Sequence, residues 1–390
     1  MIPYGKHSID KHDIQAVVDV LGGVNLTQGP KIYEFEKAVS EYTGAKYAVA
    51  VSHGTAALHL SMLAADVGSG DSIVTSPITF VASANAGRFV GADVCFSDVD
   101  SNSINLSPET LKKTVAKCKN VRAIIPVHFA GFPCDMPEIN AIADDSGAVV
   151  IEDAAHALGA TYPNGKKVGC CEYSLMTIFS FHPVKAIAAG EGGMITTNDY
   201  DIYQRLLRLR SHGINKGEDP LMYPEQKDEN GIEARWYYEM QELGYNYRIT
   251  DIQAALGLSQ FRKLDTFIER RRSLVKKYDR SFADLPNCQP IQLNGREESA
   301  HHIYVLRIDF DTLKMSRQFF MKQLFEKGIG TQVHYIPVPM QPYYKALGGD
   351  LDSFENSEKY YSEAISIPLY YSLTDADQQY VIDSIFELLT

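Results

Sequence analysis

Between about residues 33 and 200, short apolar, β-branched runs alternate with stretches whose apolar positions recur at helical spacing. This is the pattern of a mainly parallel sheet covered by helices. It predicts strands over 46–51, 72–76, 93–97, 121–127, 148–152, 175–181 and 193–197. Two early helices are predicted, one from Tyr33 to Tyr42 with Gly44 as the residue that ends it, and the Ala- and Leu-rich Gly54 to Ala65. A polar, irregular stretch from about 214 to 240, holding GEDP, KDENG and the single Trp236, breaks the alternation and reads as a long loop. From Thr250 a helical pattern runs to about Phe282, long enough to bridge two lobes. Beyond it, strand-like YVLRIDF and TQVHYI with helical stretches predict a smaller α/β domain. The expected organisation is a large α/β domain over residues 1–250, then a bridging helix and small C-terminal domain over 251–390.

A chain of 390 residues with 45% hydrophobic and 22% charged residues has the balance of an ordinary globular protein. Its net charge of -12 with no basic run removes the electrostatic footprint of a nucleic-acid partner. A small phosphorylated ligand stays open, because amides at a helix N-terminus bind phosphate locally. The cysteines (Cys95, Cys118, Cys134, Cys170, Cys171 and Cys288) are scattered, with no C-x-x-C, so reduced thiols in a cytoplasmic protein are expected. The N-terminal MIPYGKHSIDKHDI lacks a charged-then-apolar leader, and no apolar run is long enough to span a bilayer, so no membrane association is expected either.

Chemistry concentrates in two segments, AVVIEDAAHALGA and TIFSFHPVKAIAAGEGGMITT. The first places Asp153 at the C-terminal end of a buried strand, where open α/β sheets bind ligands. The second places Lys185 in a loop after a strand, followed by Gly190-Glu191-Gly192-Gly193. A pyridoxal 5′-phosphate (PLP) enzyme needs that pair: an amine to bond the cofactor aldehyde and an acid to keep the pyridine nitrogen protonated. From spacing alone, Asp153 serves as well as a helix cap and Lys185 as a solvated loop residue. Ser52-His53-Gly54-Thr55-Ala56 opens a helix after a strand and reads either as a phosphate cradle or as a plain turn.

Taken in order, Gly54-Thr55, Thr79-Phe80, Pro126-Val127-His128, Glu152-Asp153-Ala154-Ala155-His156, Ser180-Phe181-His182, Lys185 with GEGG, and Gly244-Tyr245-Asn246-Tyr247-Arg248 resemble the DegT/DnrJ/EryC1/StrS family of PLP-dependent sugar aminotransferases. The resemblance runs from Tyr4 to the HYIP segment at His334 and implies the aminotransferase fold of type I. It implies that Lys185 carries PLP and shuttles a proton, Asp153 binds the pyridinium and Phe80 stacks on the ring. Gly54, Thr55, Ala56 and Ser180 would hold the phosphate, and His156 would support the cofactor. Asn246 would reach into a neighbouring copy's site, which makes the expected assembly a homodimer with shared sites. Tyr4, Asn25, Leu26, Thr27 and Gln332, Val333, His334, Tyr335 would line the sugar-nucleotide site, although each also reads as a packing or turn residue. No metal is expected.

Within the family, Tyr4 before NLTQG, SFHPVK, RSHG, LGLSQ and QVHY are similar to the branch that aminates C4 of a UDP-linked 4-keto-6-deoxy-N-acetylhexosamine for pseudaminic acid, with glutamate as donor. Another nucleotide-linked keto sugar (dTDP or GDP), or a non-catalytic PLP-binding regulator, is the alternative. Ala188-Ala189 stands where many members have Thr-Thr before GEGG, which shifts the phosphate grip toward Ser180 and Asn246. A dehydratase branch carries His at the position of Lys185, so the lysine here points to amino transfer.

Overall fold

In a computed structural model of the protein, residues 1–215, 221–223, 234, 236–292, 295–348 and 354–389 are described. Most of the polar stretch from 214 to 240 falls outside them.

The chain runs α1 (Lys11–Leu21), α2 (Pro30–Thr43), β1 (Tyr47–Val51), α3 (Gly54–Ala64), β2 (Ser72–Thr75), α4 (Val81–Phe89), β3 (Asp93–Phe96), α5 (Pro108–Lys117), β4 (Val121–Ile125), α6 (Met136–Ser146), β5 (Val149–Asp153), β6 (Met176–Ser180), β7 (Gly193–Thr197) and α7 (Tyr200–Leu209). Every predicted strand of this region is present. Gly44 ends α2 in the left-handed conformation (φ 81°), which a residue without Cβ adopts freely.

The seven strands form one sheet in the order β1-β7-β6-β5-β4-β2-β3. All run parallel except β7, which is antiparallel to both β1 and β6. Because β1, β2, β4, β5 and β6 point the same way, their C-terminal ends meet along one edge, the place where such sheets bind ligands. The strands are apolar on both faces because helices cover both. One face packs Val49, Ile125 and Ile178 against α3 and α7; the other packs Val74, Ile124 and Phe179 against α2, α6 and α8.

The bridging segment is two helices, α8 (Asp251–Phe261) and α9 (Leu264–Phe282), where the pattern predicts one. Lys263 leaves helical geometry (φ -105°, ψ 1°), and its ammonium pairs with Asp10 at 2.9 Å and Asp13 at 2.6 Å at the start of α1. Thr250 caps α8 and Gln253 returns the bond to the cap, a reciprocal pair that fixes where the helix begins.

The C-terminal part has β8 (Cys288–Pro290), β9 (Tyr304–Ile308), α10 (Arg317–Glu326), α11 (Pro342–Ala346), α12 (Glu355–Glu363), β10 (Ala364–Ile367) and α13 (Asp375–Leu389). Its antiparallel sheet, β10-β9-β8, has its own core with Leu306, Phe320, Ile365 and Ile385. TQVHYI is not a strand. Gln332 alone pairs with Ser366, and the carbonyl of His334 accepts instead from Tyr360 Oη at 2.6 Å.

The expectation of unpaired cysteines is corrected at two positions. Cys95 in the edge strand β3 and Cys118 after α5 form a disulfide, brought to a Cα separation of 6.7 Å by packing that no spacing motif announces. Cys134, Cys170, Cys171 and Cys288 are free and buried. Among the described residues no helix is long and apolar enough to cross a membrane, and no cluster of three or more metal-ligating side chains occurs.

Candidate active site

A cavity of about 690 Å3 opens at the C-terminal edge of the sheet. Each parallel strand except the edge strand β3 delivers a side chain or the turn after it: Gly54 and Thr55 follow β1, Thr79 and Phe80 follow β2, Val127 follows β4, and Asp153 and Ser180 end β5 and β6. Lys185 comes from the loop between β6 and β7, and His302, His334 and Tyr335 close the cavity from the C-terminal part.

Alternation along β5 separates two carboxylates. Asp153 faces the cavity side, where Ser83 Oγ of α4 donates to Oδ2 at 2.6 Å and the amide of Ala155 donates to Oδ1 at 3.1 Å. Glu152 points the other way into a buried network. It accepts from Thr177 Oγ1 at 3.0 Å, Ser174 Oγ at 2.5 Å and Tyr162 Oη, and pairs with His128 Nε2 at 2.7 Å. Burial alone would raise the Glu152 carboxyl, but the bonds from His128, Ser174 and Tyr162 outweigh it and hold the group below its ordinary range. Two residues in sequence thus anchor the strand end from both faces.

Enclosure lowers the Lys185 amine to about 8; the nearby charge of Asp153 works in the opposite direction. Burial likewise pushes His156 and His302 well below the ordinary range, with Lys185 adding to the effect, and takes His334 to about 4. These imidazoles are neutral at physiological pH. Burial raises Tyr335, so its hydroxyl keeps its proton, and Oη shares a hydrogen bond with His156 Nε2 at 3.0 Å.

The donor set fits PLP. At the start of α3 the amides of Gly54 and Thr55 have no partner within the helix, the arrangement that binds phosphate. The corner is too tight for side chains: a Cβ on Gly54 would lie 3.0 Å from Ser180 Cβ, and one on Gly193 would lie 2.7 Å from the backbone of His53. Ser52 Oγ, next to this corner, and His156 Nδ1, beside His302 and Tyr335, are buried without hydrogen-bond partners. A carboxylate and an enclosed amine complete the set that a pyridine nitrogen and an aldehyde require.

Of the predicted residues, Tyr4, Gly54, Thr55, Phe80, Asp153, His156, Ser180, Lys185, His334 and Tyr335 share this cavity. Ala56 lies just behind it, with its amide already bonded to His53 Nδ1 at 2.9 Å. Asn25, Leu26 and Thr27 are exposed near the start of α8, where Thr27 bridges Thr250. Gln332 and Val333 flank the cavity without lining it, and Asn246 is exposed beside Ser211. Sequence reasoning missed Ser83 and His302, and named His53 and Glu191 only as parts of their motifs. Ser83 had one trace, a hydroxyl inside a helix that begins just after Phe80; His302 had none.

Comparison with known proteins agrees with this geometry. The model of the DegT/DnrJ/EryC1/StrS aminotransferase family matches residues 7–386. The chain belongs to that family. It is 37% identical to the spore coat polysaccharide biosynthesis protein SpsC of Bacillus subtilis, over all of this chain and 97% of that protein. It is 35% identical to the UDP-4-amino-4,6-dideoxy-N-acetyl-beta-L-altrosamine transaminase of Campylobacter jejuni, over all of this chain and 98% of that protein. Spr1654 of Streptococcus pneumoniae, solved in its PLP form, superposes with a TM-score of 0.88 at 28% identity, covering 99% of this chain and 98% of its own. The protein is a PLP-dependent sugar aminotransferase, and its cofactor is PLP.

Proposed function

We propose that the chain transfers the amino group of glutamate to C4 of a UDP-linked 4-keto-6-deoxy-N-acetylhexosamine, giving UDP-4-amino-4,6-dideoxy-N-acetyl-β-L-altrosamine for pseudaminic acid synthesis. One observation carries the reading: Tyr4, His334 and Tyr335 share a cavity with Lys185 and Asp153, in a chain similar end to end to the Campylobacter transaminase. PLP bound there supplies the aldehyde that carries the amino group and the ring that accepts electron density. In this reading residues 1–250 form the cofactor-binding domain and 251–390 the bridging helices and small domain.

The residues divide the work. Lys185 would bond the cofactor and, once displaced by the donor amine, its Nζ, with about half of the groups neutral at pH 8, would take the proton from the donor Cα and deliver one to the sugar C4. Asp153, held by Ser83 and the Ala155 amide, presents a fixed carboxylate to the pyridine nitrogen. Gly54, Thr55, Ala56 and Ser180 hold the phosphate, Phe80 covers the ring, and His156, kept neutral by burial, is oriented by its hydrogen bond with Tyr335. Tyr4, the Asn25-Leu26-Thr27 segment and the Gln332 to Tyr335 segment take the sugar nucleotide. The exposed Asn246 completes the site of a second copy in a cytoplasmic homodimer.

The test is mass spectrometry of the protein with PLP, glutamate and UDP-2-acetamido-2,6-dideoxy-4-keto-L-arabino-hexose, beside tubes with dTDP- and GDP-linked 4-keto sugars. Amino sugar mainly from the UDP compound supports the assignment. Product from another tube keeps amino transfer and changes the substrate, an outcome that the 37% identity to SpsC, against 35% to the Campylobacter transaminase, leaves open. Lys185→Ala should abolish turnover, and full activity in that variant removes the lysine from its role. No product in any tube would leave the non-catalytic PLP-binding alternative.

A further inference from the structure

A second cavity, of about 830 Å3, lies along α9 and shares no lining residue with the one around Lys185. Arg272, Lys276, Lys277 and Arg280 line it from the helix and Lys167 from the opposite wall, against only two carboxylates, Asp265 and Glu269. That excess of cations runs against the chain as a whole, which carries 49 acidic and 37 basic residues.

The helix concentrates the charge. Residues 272, 276 and 280 are four apart on α9, so they stack on one face at intervals of about 6 Å. Like charges at this spacing repel, and two carboxylates against five cations leave the cavity with an excess of positive charge. Among the described residues neither Asp265 nor Glu269 forms an ion pair with the five cations. Asp265 accepts instead from Tyr42 Oη at 2.6 Å. Arg272 Nη2 and Lys277 Nζ donate to the carbonyls of Glu297 at 2.9 Å and Asp375 at 3.2 Å, and Lys167 Nζ lies 4.9 Å from the centre of the Tyr42 ring. These contacts hold the side chains through neutral groups, not through ion pairs. Arg272 Nε is buried without a partner, and Lys276 and Arg280 are exposed.

We propose that this groove binds a polyphosphate anion, of the kind borne by nucleoside di- and triphosphates, at a site separate from the amino-transfer centre. A linear anion with several charges matches a ladder of cations better than a single carboxylate does, and Arg272 offers the forked donors that phosphate oxygens accept. Opposite the ladder the wall is bare backbone: Gly159 (φ 90°) sits so close to α9 that a Cβ would lie 2.0 Å from Ile268 Cδ1. The same backbone carries His156 three residues earlier, so the groove abuts the segment that leads out of the active site.

Inorganic triphosphate titrated calorimetrically into PLP-saturated protein at low salt should bind one site per chain, and the affinity should fall as salt screens the charges. R272Q/K276Q/R280Q should weaken it at least tenfold while amination of the keto sugar continues. Arg280→Gln alone, at an exposed position, should weaken it about threefold and serves if the triple variant fails to fold. No binding at millimolar triphosphate, or equal affinity in wild type and variants, overturns the site. Because amination is read separately, neither result bears on the substrate assignment.

Discussion

Lys185 should capture PLP at a pH where an ordinary lysine is almost fully protonated. Enclosure lowers its amine from the usual 10.5 to about 8, a drop of about 2.5 pH units. At pH 8 roughly half of the amine is then neutral, against about 0.3% for an unshifted lysine, an advantage of ~150-fold in nucleophile worth ~3 kcal/mol. The assay is stopped-flow mixing of PLP-free protein with PLP across pH 6 to 10, followed by visible absorbance, with Lys185→Ala as the blank. The rate should climb about tenfold per pH unit and level off near pH 8. Asp153 acts to raise this lysine, so Asp153→Asn should move the plateau to lower pH. A rate that keeps climbing through pH 10 would refute the claim that the cavity desolvates the amine. The sign carries over to stability. The folded state disfavours the charged lysine, so the PLP-free protein should gain stability, relative to Lys185→Ala, as pH rises from about 8 toward 10.5.

Three further outcomes follow from the anchoring of the site. Ser83→Ala removes the 2.6 Å bond to Asp153, and a bond to a charged group is worth ~1.5–3 kcal/mol, so PLP affinity by equilibrium dialysis should fall at least about tenfold with the fold intact. Glu152→Gln breaks the buried pair with His128 and should cost about 3 kcal/mol in a urea titration at neutral pH. Because Glu152 is held below the usual carboxyl range, that deficit should shrink as acid protonates the wild-type group, and a deficit independent of pH would count against an ionised Glu152. Gly193→Ala drives a Cβ to 2.7 Å from the His53 backbone, and the strain of ~1–3 kcal/mol should appear as weaker PLP binding together with a lower melting temperature.

The sheet was readable because its strands are buried on both faces, so each appears as an apolar run between turn residues, and the predicted seven coincide with β1 to β7. Asp153 and the Gly54 corner were readable as positions at the ends of strands, and Lys185 stood out in the loop after one, through the family resemblance. Where the competing forces were distant, reading failed. The pattern from Thr250 to Phe282 is helical throughout, but Lys263 is drawn to Asp10 and Asp13 about 250 residues earlier, and α8 and α9 part there. TQVHYI alternates like a strand, yet its carbonyl at His334 is satisfied by a tyrosine hydroxyl instead of a neighbouring strand.

The sequence by itself determined the α/β class and the order of strands along the chain, since these depend on local periodicity, and its family resemblance singled out the Lys185 and Asp153 that the cavity brings together. Only the tertiary structure decided which side chains support that pair. Ser83 meets Asp153 across 70 positions, and His302 lies against His156 with ring centres 4.2 Å apart. The Cys95–Cys118 link and the cationic groove likewise arise from elements packed together out of sequence order. Burial then sets the chemistry, because the same lysine in water would keep its proton until well above pH 8.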